Sequence, residues 1–177
     1  MGRFEDPQDA LFKAINTSLG YDQRLYPEDI EGSIAHAEML AASEVITDQD
    51  LQQIKTGLAG VKQELDDGTF PFEDDDEDIH MAVERRLTEL VGDAGAKLHT
   101  ARSRNDQVST DVALFTKRRA LDATAKLTAV MGALLAKATE YRDASMPGYT
   151  HLQRAQSIYL GHHLLAYDAM LSRDMER

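Results

Sequence analysis

Cysteine is missing from the 177-residue sequence, and its absence excludes several kinds of chemistry. Without a thiol, the chain can form no disulfide, no thiolate nucleophile and no cysteine-ligated metal site. The sequence also has no apolar run of about 18 residues and no apolar segment near its start that would act as a secretory signal. These absences predict a soluble cytoplasmic protein that does not associate with a membrane.

Basic residues are scarce relative to acidic ones, with 19 Lys and Arg against 31 Asp and Glu, for a formal net charge of −12. This charge would repel nucleic acid and anionic lipid, so neither is an expected partner. A carboxylate-rich ligand would need local arginines to overcome the repulsive field. Hydrophobic residues make up 42% of the chain, which is enough to build a core.

Strand-like alternation is nearly absent, whereas apolar residues recur at helical spacing. Pro27 is expected at the start of one helix, and the next is expected to begin at Thr47, where Asp50 completes a capping-box pattern. Gly68 is placed to end that second helix. Its single apolar face is formed by Leu51, Ile54, Leu58, Val61 and Leu65.

The acidic run at residues 73–78 is expected to form a solvated loop that leads into a helix N-terminus, where negative charge is favourable. Gly92 is placed to end that helix. His80 and Glu84 lie four residues apart and could bind a metal together with Asp78. However, no HExxH pattern or calcium-loop spacing supports such a site, so no metal is predicted.

Residues 107 to about 143 contain no proline and keep a helical period. A helix of this length would span on the order of 50 Å, more than a small monomeric domain needs. It therefore predicts a helix bundle shared between subunits. A second amphipathic helix is expected to follow and to run to Arg177 without a C-cap, so the chain looks cut short.

The segment "MPGYTHLQRAQ", residues 146–156, carries dense hydrogen-bonding chemistry. Thr150 and Gln153 have capping-box spacing, which would place His151 at the first position of a helix. The positive end of a helix favours a neutral imidazole, which can accept a proton, and it offers free N–H groups to a carboxylate. The alternative is that these residues only cap the helix.

The segment "HTARSRNDQ", residues 99–107, precedes the long helix. Arg102 and Arg104 flank Ser103, and Asn105 or Asp106 is the expected N-cap. Arginine suits bidentate binding of carboxylates, although these arginines could instead pair with acids on the surface. Because this loop and the histidine loop bracket one long helix, contact between them is expected to need a second subunit.

Four segments together resemble the argininosuccinate lyase family of the fumarase/aspartase superfamily. They are "HTARSRNDQ", "MPGYTHLQRAQ", "DEDIHMAVERRL" and the N-terminal "GRF … NTSLGYDQRLYPEDIEGSIAHA". The resemblance implies an all-α fold, with an N-terminal helical domain at 1–106 that carries substrate-binding loops. The first long helices of a fumarase/aspartase-like central bundle, incomplete here, would occupy 107–177. It also implies a homotetramer whose active sites each draw on three subunits.

The resemblance further implies reversible cleavage of argininosuccinate to L-arginine and fumarate in arginine biosynthesis, without metal or organic cofactor. By motif position, His151 corresponds to the family's catalytic histidine. The residues that correspond to substrate contacts are Ser18, Arg104, Asn105 and Thr150. Those expected nearby or in supporting roles are Asp22, Asp78, His80, Arg102, Ser103 and Gln153.

The chain departs from the family pattern at two positions and in its length. Ala101 replaces a glycine, which would strain the loop if the backbone there needs a positive φ. Ser157 replaces a proline early in the expected helix. The chain also ends before the family's catalytic serine loop, so we expect an N-terminal fragment that is inactive alone. The alternatives are a sibling fumarate-releasing lyase such as adenylosuccinate lyase, or a non-catalytic, crystallin-like structural copy.

Overall fold

The structure is a computed structural model that describes residues 10–177. The "GRF" segment at residues 2–4 therefore lies outside the described residues. The chain divides into two compact units, of which the first ends at Thr116 and the second runs from Lys117 to Arg177. Within the described residues, no helix is both long enough and apolar enough to cross a membrane.

Helices account for almost all of the regular structure. In chain order they are α1 (Ala10–Asn16), α2 (Leu19–Asp22), a 3-10 turn (Gln23–Leu25), α3 (Tyr26–Ala42), α4 (Asp48–Asp66), α5 (Ile79–Val91), α6 (Asp93–Ala96), a second 3-10 turn (Lys97–His99), α7 (Arg104–Glu140) and α8 (Leu160–Met175). Two short strands, β1 (Ser145–Thr150) and β2 (Gln153–Tyr159), lie between α7 and α8. The predicted all-α architecture is thus confirmed for the helices, with one added hairpin.

The start and end of α4 follow from local side-chain chemistry. The Asp50 N–H donates to Thr47 Oγ1 over 3.1 Å, and the Thr47 N–H donates to Asp50 Oδ2 over 3.0 Å. The predicted capping box is therefore confirmed. Gly68 follows the helix with a φ of 67°, a conformation that glycine adopts without a steric penalty.

The core of the first unit is formed by the apolar faces of α3, α4 and α5, with α6 and the second 3-10 turn packed against them. Side chains in it include Ile30, Leu40, Ile54, Leu58, Val61, Ile79, Val83, Leu87 and Leu98, all of them buried. The face of α4 predicted from its spacing supplies three of these residues. The apolar spacing of α4 therefore predicts the side of the helix that packs inward.

In the second unit, residues 145–159 form a β-hairpin, so the prediction of a helix that begins beside Thr150 is wrong. The strands pair antiparallel, with Ser145 opposite Tyr159 and Thr150 opposite Gln153. His151 and Leu152 form the two-residue turn between the strands and have φ values of 52° and 62°. The common type I′ hairpin turn requires a positive φ at both of these positions. The apparent capping box is in fact the last strand pair before the turn.

Helix α8 begins at Leu160, after the hairpin rather than within it. Ser157 consequently lies in β2 opposite Pro147, and not early in a helix as predicted. The start of α8 packs closely on α7, because a Cβ on Gly161 would lie 2.7 Å from the Ala138 carbonyl oxygen. The 37-residue helix α7, by contrast, matches the predicted long helix.

Candidate active site

A cleft of about 580 Å³ lies in the first unit, bordered by the segment around α2, the start of α5 and the first turns of α7. This volume is in the range of small-molecule sites. The lining residues are Ser18, Tyr21, Asp22, Arg24, Leu25, Asp78, His80, Val108, Val112, Phe115 and Thr116. Four of them, Ser18, Asp22, Asp78 and His80, are site residues predicted from the sequence, and they come from two separate segments of the chain.

Hydrogen bonds join those two segments at one end of the cleft. The Ser18 hydroxyl donates to Asp22 Oδ2 over 2.5 Å, and the Ser18 N–H donates to the Glu77 carbonyl oxygen over 2.8 Å. The other carboxylate oxygen of Asp22 accepts the Ile79 N–H over 3.2 Å. Ser18 and Asp22 are therefore fixed against the N-terminus of α5.

Asp78 is the N-cap of α5, and its Oδ1 accepts the Met81 N–H over 2.6 Å. The prediction that the acidic segment leads into a helix N-terminus is thus confirmed. Two residues later, in the first turn of α5, His80 turns its ring into the protein and is 1% exposed. The same short stretch therefore supplies one partly exposed carboxylate and one buried imidazole to the cleft.

Two buried carboxylates face the His80 ring. Its Nδ1 lies 3.2 Å from Asp29 Oδ1 on α3 and 3.2 Å from Asp111 Oδ2 on α7. Burial lowers the pKa of His80, but the attraction of Asp111 and Asp29 outweighs burial and raises that pKa to about 9. Neither Asp29 nor Asp111 was predicted from the sequence as a site residue.

Arg104, the first residue of α7, lies beside this end of the cleft. Its Nε is 3.7 Å from Asp78 Oδ2, and its Nη2 is 3.0 Å from Glu84 Oε2. Its Nη1 donates to Gln107 Oε1 over 2.6 Å. The guanidinium is held on two sides by these contacts, and about 31% of the side chain stays exposed. Part of this cation is thus accessible to a ligand.

Arg102 has a different environment from Arg104. Its side chain is only 5% exposed, its Nη1 donates to Ser33 Oγ over 2.9 Å, and its Nη2 lies 3.7 Å from Asp29 Oδ1. These contacts tie the loop to α3. The sequence prediction placed Arg102 near the site or in a supporting role, and its guanidinium is turned into the core.

Ser103 occupies the position just before α7. Its N–H donates to Asp106 Oδ2 over 3.1 Å, and its hydroxyl oxygen accepts the Asn105 N–H over 3.2 Å. Helix α7 begins at Arg104, so Asn105 and Asp106 both lie inside it, and the prediction that one of them is the N-cap is wrong. Asp106 instead completes the cap from the third helical position, and the Asn105 side chain stays exposed.

Ala101 has a φ of 56°, so the loop does adopt the left-handed conformation that its family position suggested. A side chain at such a position is disfavoured by about 1 kcal/mol relative to glycine.

We expect Ala101→Gly to raise the free energy of unfolding by about 0.5–1 kcal/mol, measured by urea titration. Ala113→Gly, at an exposed position inside α7, should instead lower it by about 1 kcal/mol. A loss of stability in Ala101→Gly would contradict the strain.

The remaining predicted residues, Thr150, His151 and Gln153, lie in the second unit at the tip of the hairpin. The His151 side chain is exposed, and the neighbouring Leu152 is 96% exposed. Because His151 is in a hairpin turn, the argument from the positive end of a helix does not apply to it. The tip instead presents the imidazole outward from a two-residue turn.

Several cleft residues were not found from the sequence. Arg24 borders the cleft as an exposed cation whose Nε donates to the Tyr21 carbonyl oxygen over 2.9 Å. Val108, Val112 and Phe115 form the apolar wall, although their spacing indicated only a helix face. No local pattern distinguishes a helix face that lines a cleft from one that packs into a core.

Comparison with known proteins places this arrangement among lyases. Residues 2–177 match the model of a family described as Lyase. The chain is 49% identical over 176 residues to an argininosuccinate lyase of Nitrosospira multiformis, covering 99% of this chain and 37% of that protein. It is 51% identical over 177 residues to an argininosuccinate lyase of Chromobacterium violaceum, covering 99% of this chain and 38% of that protein. The chain thus spans less than two-fifths of the length of these curated relatives.

Solved structures show the same fold. An EDDS lyase variant with bound fumarate aligns with a TM-score of 0.73 and 27% identity, covering 86% of this chain and 29% of that one. A fumarate lyase from Mesorhizobium sp. BNC1 aligns with a TM-score of 0.71 and 23% identity, covering 88% of this chain and 36% of that one.

Proposed function

The chain belongs to this lyase family, and we propose from that premise that it supplies the N-terminal part of an argininosuccinate lyase. The proposed reaction is the reversible elimination of argininosuccinate to L-arginine and fumarate. The observation that carries the proposal is identity of about half the residues to proteins of that name along nearly the whole chain. The fumarate bound to a structurally similar lyase is consistent with a fumarate-releasing reaction.

The proposed chemistry begins with removal of a proton beside a substrate carboxylate. We assign His151 the catalytic role, because it corresponds by motif position to the family's catalytic histidine and its exposed imidazole could accept a proton from a bound substrate. Thr150 beside it would contact the substrate. A proton next to a carboxylate is lost more readily when cations stabilise the charge that develops, and Arg104 is a partly accessible cation of this kind.

The cleft of the first unit is the proposed site for the substrate's polar groups. Ser18 is fixed there by Asp22 and by the backbone, so its hydroxyl oxygen has a defined position. Asn105 offers an exposed amide with both donor and acceptor atoms. The apolar wall on α7 would exclude water from one side of the ligand. Neither a metal nor an organic cofactor is part of the proposal.

We propose that the cleft and the hairpin of one active site come from different subunits of a homotetramer. The two segments bracket α7, whose 37 residues correspond to about 55 Å of helix. Large apolar side chains along α7 are exposed, among them Val112, Leu121, Val130 and Leu135. Exposed apolar side chains on more than one side of a helix are typical of a helix inside a bundle. We also propose that the protein is located in the cytoplasm.

A chimera tests the function directly. Residues 1–177 would be joined to the remainder of the Nitrosospira multiformis relative, in place of that protein's own first 37%. We expect the chimera to release fumarate from argininosuccinate, followed by its ultraviolet absorbance, and not from adenylosuccinate. The 177-residue chain alone should show no activity above background.

The unmodified relative is the positive control for this assay. Turnover of adenylosuccinate by the chimera would favour a sibling lyase. A chimera that assembles like the relative but cleaves neither compound would favour a non-catalytic, structural role for this chain. Activity in the 177-residue chain alone would contradict the proposal that further residues are required.

A further inference from the structure

Beneath the cleft lies a buried polar cluster that joins three helices. It consists of Asp29 on α3, His80 on α5 and Asp111 on α7, each no more than 1% exposed. One ring nitrogen of His80 and one carboxylate oxygen of each aspartate lie within 4.8 Å of one another. Buried ionisable groups are rare unless they compensate one another, so the charge state of this cluster needs a physical explanation.

The partners of the two carboxylates differ. Asp29 Oδ1 accepts the Gln107 amide over 2.5 Å and has the Arg102 guanidinium at 3.7 Å. Neither side-chain oxygen of Asp111 has a hydrogen-bond partner in the described part of the chain, and its ion-pair partner is His80. If His80 were neutral, an ionised Asp111 would be left buried without its ion-pair partner, and only Arg102, which lies against Asp29, would offset its charge.

We infer that Asp29 and Asp111 act as positioning residues that keep His80 in its cationic form in the floor of the cleft. The Nδ1 of His80 is equidistant, at 3.2 Å, from an oxygen of each carboxylate. Since His80 lines the cleft, its ring is a fixed positive group there. With His80 protonated, the charges of His80 and Arg102 balance those of Asp29 and Asp111.

Two other protonation schemes are physically less favourable. The proton could sit on Asp111 beside a neutral His80, because burial raises the pKa of Asp111. An imidazole, however, is more basic than a carboxyl group by about 2.6 pH units in water, and Asp29 also faces the same ring nitrogen. A metal ion held by the three side chains would meet the amide and guanidinium donors that already point at Asp29.

The charges that face the ring come from every element around it. Asp29 contributes from α3, Asp111 from α7, and Asp78 from the start of α5, while Arg102 opposes them from the loop before α7. The three acids favour the imidazolium form. The role of this cation depends on the proposed function, in which the cleft binds a substrate with several carboxylates that a positive group would attract.

The test follows the ring nitrogens of His80 by NMR in the 177-residue chain labelled with 15N-histidine. Of the six histidines, His80 is assigned by the signal lost in His80→Gln. We expect both ring nitrogens of His80 to stay protonated at pH 8, about 1.5 pH units above the ordinary pKa of a histidine side chain. A neutral His80 at pH 8 would overturn the inference, whatever the variants do.

Variants then assign the effect to the two carboxylates. Asp111→Asn and Asp29→Asn should each lower the proton affinity of His80 at least tenfold, a shift of one pH unit or more. Asp122→Asn, an exposed position on the same helix, should leave the titration unchanged. An unchanged His80 titration in folded Asp111→Asn and Asp29→Asn would also overturn it. The readout needs no substrate, so an inactive chimera would refute the proposed function without affecting this result.

Discussion

Replacement of His151 by glutamine in the chimera is expected to lower kcat for argininosuccinate by about 10²–10⁴-fold. This is the usual contribution of a general acid–base group. Glutamine keeps a hydrogen-bonding side chain but cannot exchange a proton at neutral pH. Fumarate release at saturating and at limiting argininosuccinate separates the loss of kcat from a change in KM.

The matched control for this variant is His162→Gln, which removes an exposed imidazole from α8 in the same unit. It should retain the kcat of the chimera. If His151→Gln instead raised KM and left kcat unchanged, His151 would be a binding residue, and the proton would have to be removed by another group. Circular dichroism of both variants checks that the hairpin substitution has not unfolded the second unit.

The second large effect is a contrast between the two arginines of the "RSRN" segment. Arg102→Met should lower the free energy of unfolding by about 3–5 kcal/mol, because it removes one of the two cations, Arg102 and His80, that balance the buried carboxylates of Asp29 and Asp111. Arg104→Met should cost about 1 kcal/mol or less, since its ion pairs are partly exposed. It should nevertheless lower kcat/KM of the chimera strongly, by about 30-fold or more, as expected when a charged substrate contact is lost.

Urea titration measures the first quantity and fumarate release the second. Arg142→Met removes an arginine whose side chain is 77% exposed and should change stability by no more than about 0.5 kcal/mol. A stable Arg102→Met variant that loses activity would show that Arg102 binds ligand, contrary to its buried contacts. An Arg104→Met chimera with normal kcat/KM would remove Arg104 from the proposed site.

The features of the fold that could be predicted are those specified by neighbouring residues. The Thr47 capping box, the stop at Gly92 and the apolar face of α4 each depend on residues within a few turns, and the structure has all three. The hairpin could not be predicted in this way. Thr150 and Gln153 have the spacing of a helix cap, but they pair across a turn whose residues, His151 and Leu152, are not the glycine or asparagine usual there.

The candidate site was partly predictable for a similar reason. Motif resemblance identified Ser18, Asp22 and His80, which line one cleft in the structure. The partners of His80 were not identified, because a buried aspartate in an amphipathic helix has no local signature. Gln107 and Asp29, which share a short hydrogen bond, are 78 positions apart in the chain. Contacts of this kind depend on the packing of helices, which the sequence pattern alone does not determine.

The most direct test of the central claim, that one active site combines the cleft of one subunit with the hairpin of another, is subunit complementation. The His151→Gln and Arg104→Met chimeras would be unfolded, mixed and refolded together, and each would also be refolded alone. If the claim is correct, mixed oligomers contain some sites built from an intact cleft and an intact hairpin, and the mixture regains a substantial part of the chimera's lyase activity. Mixed oligomers that form but remain as inactive as the separate variants would contradict it.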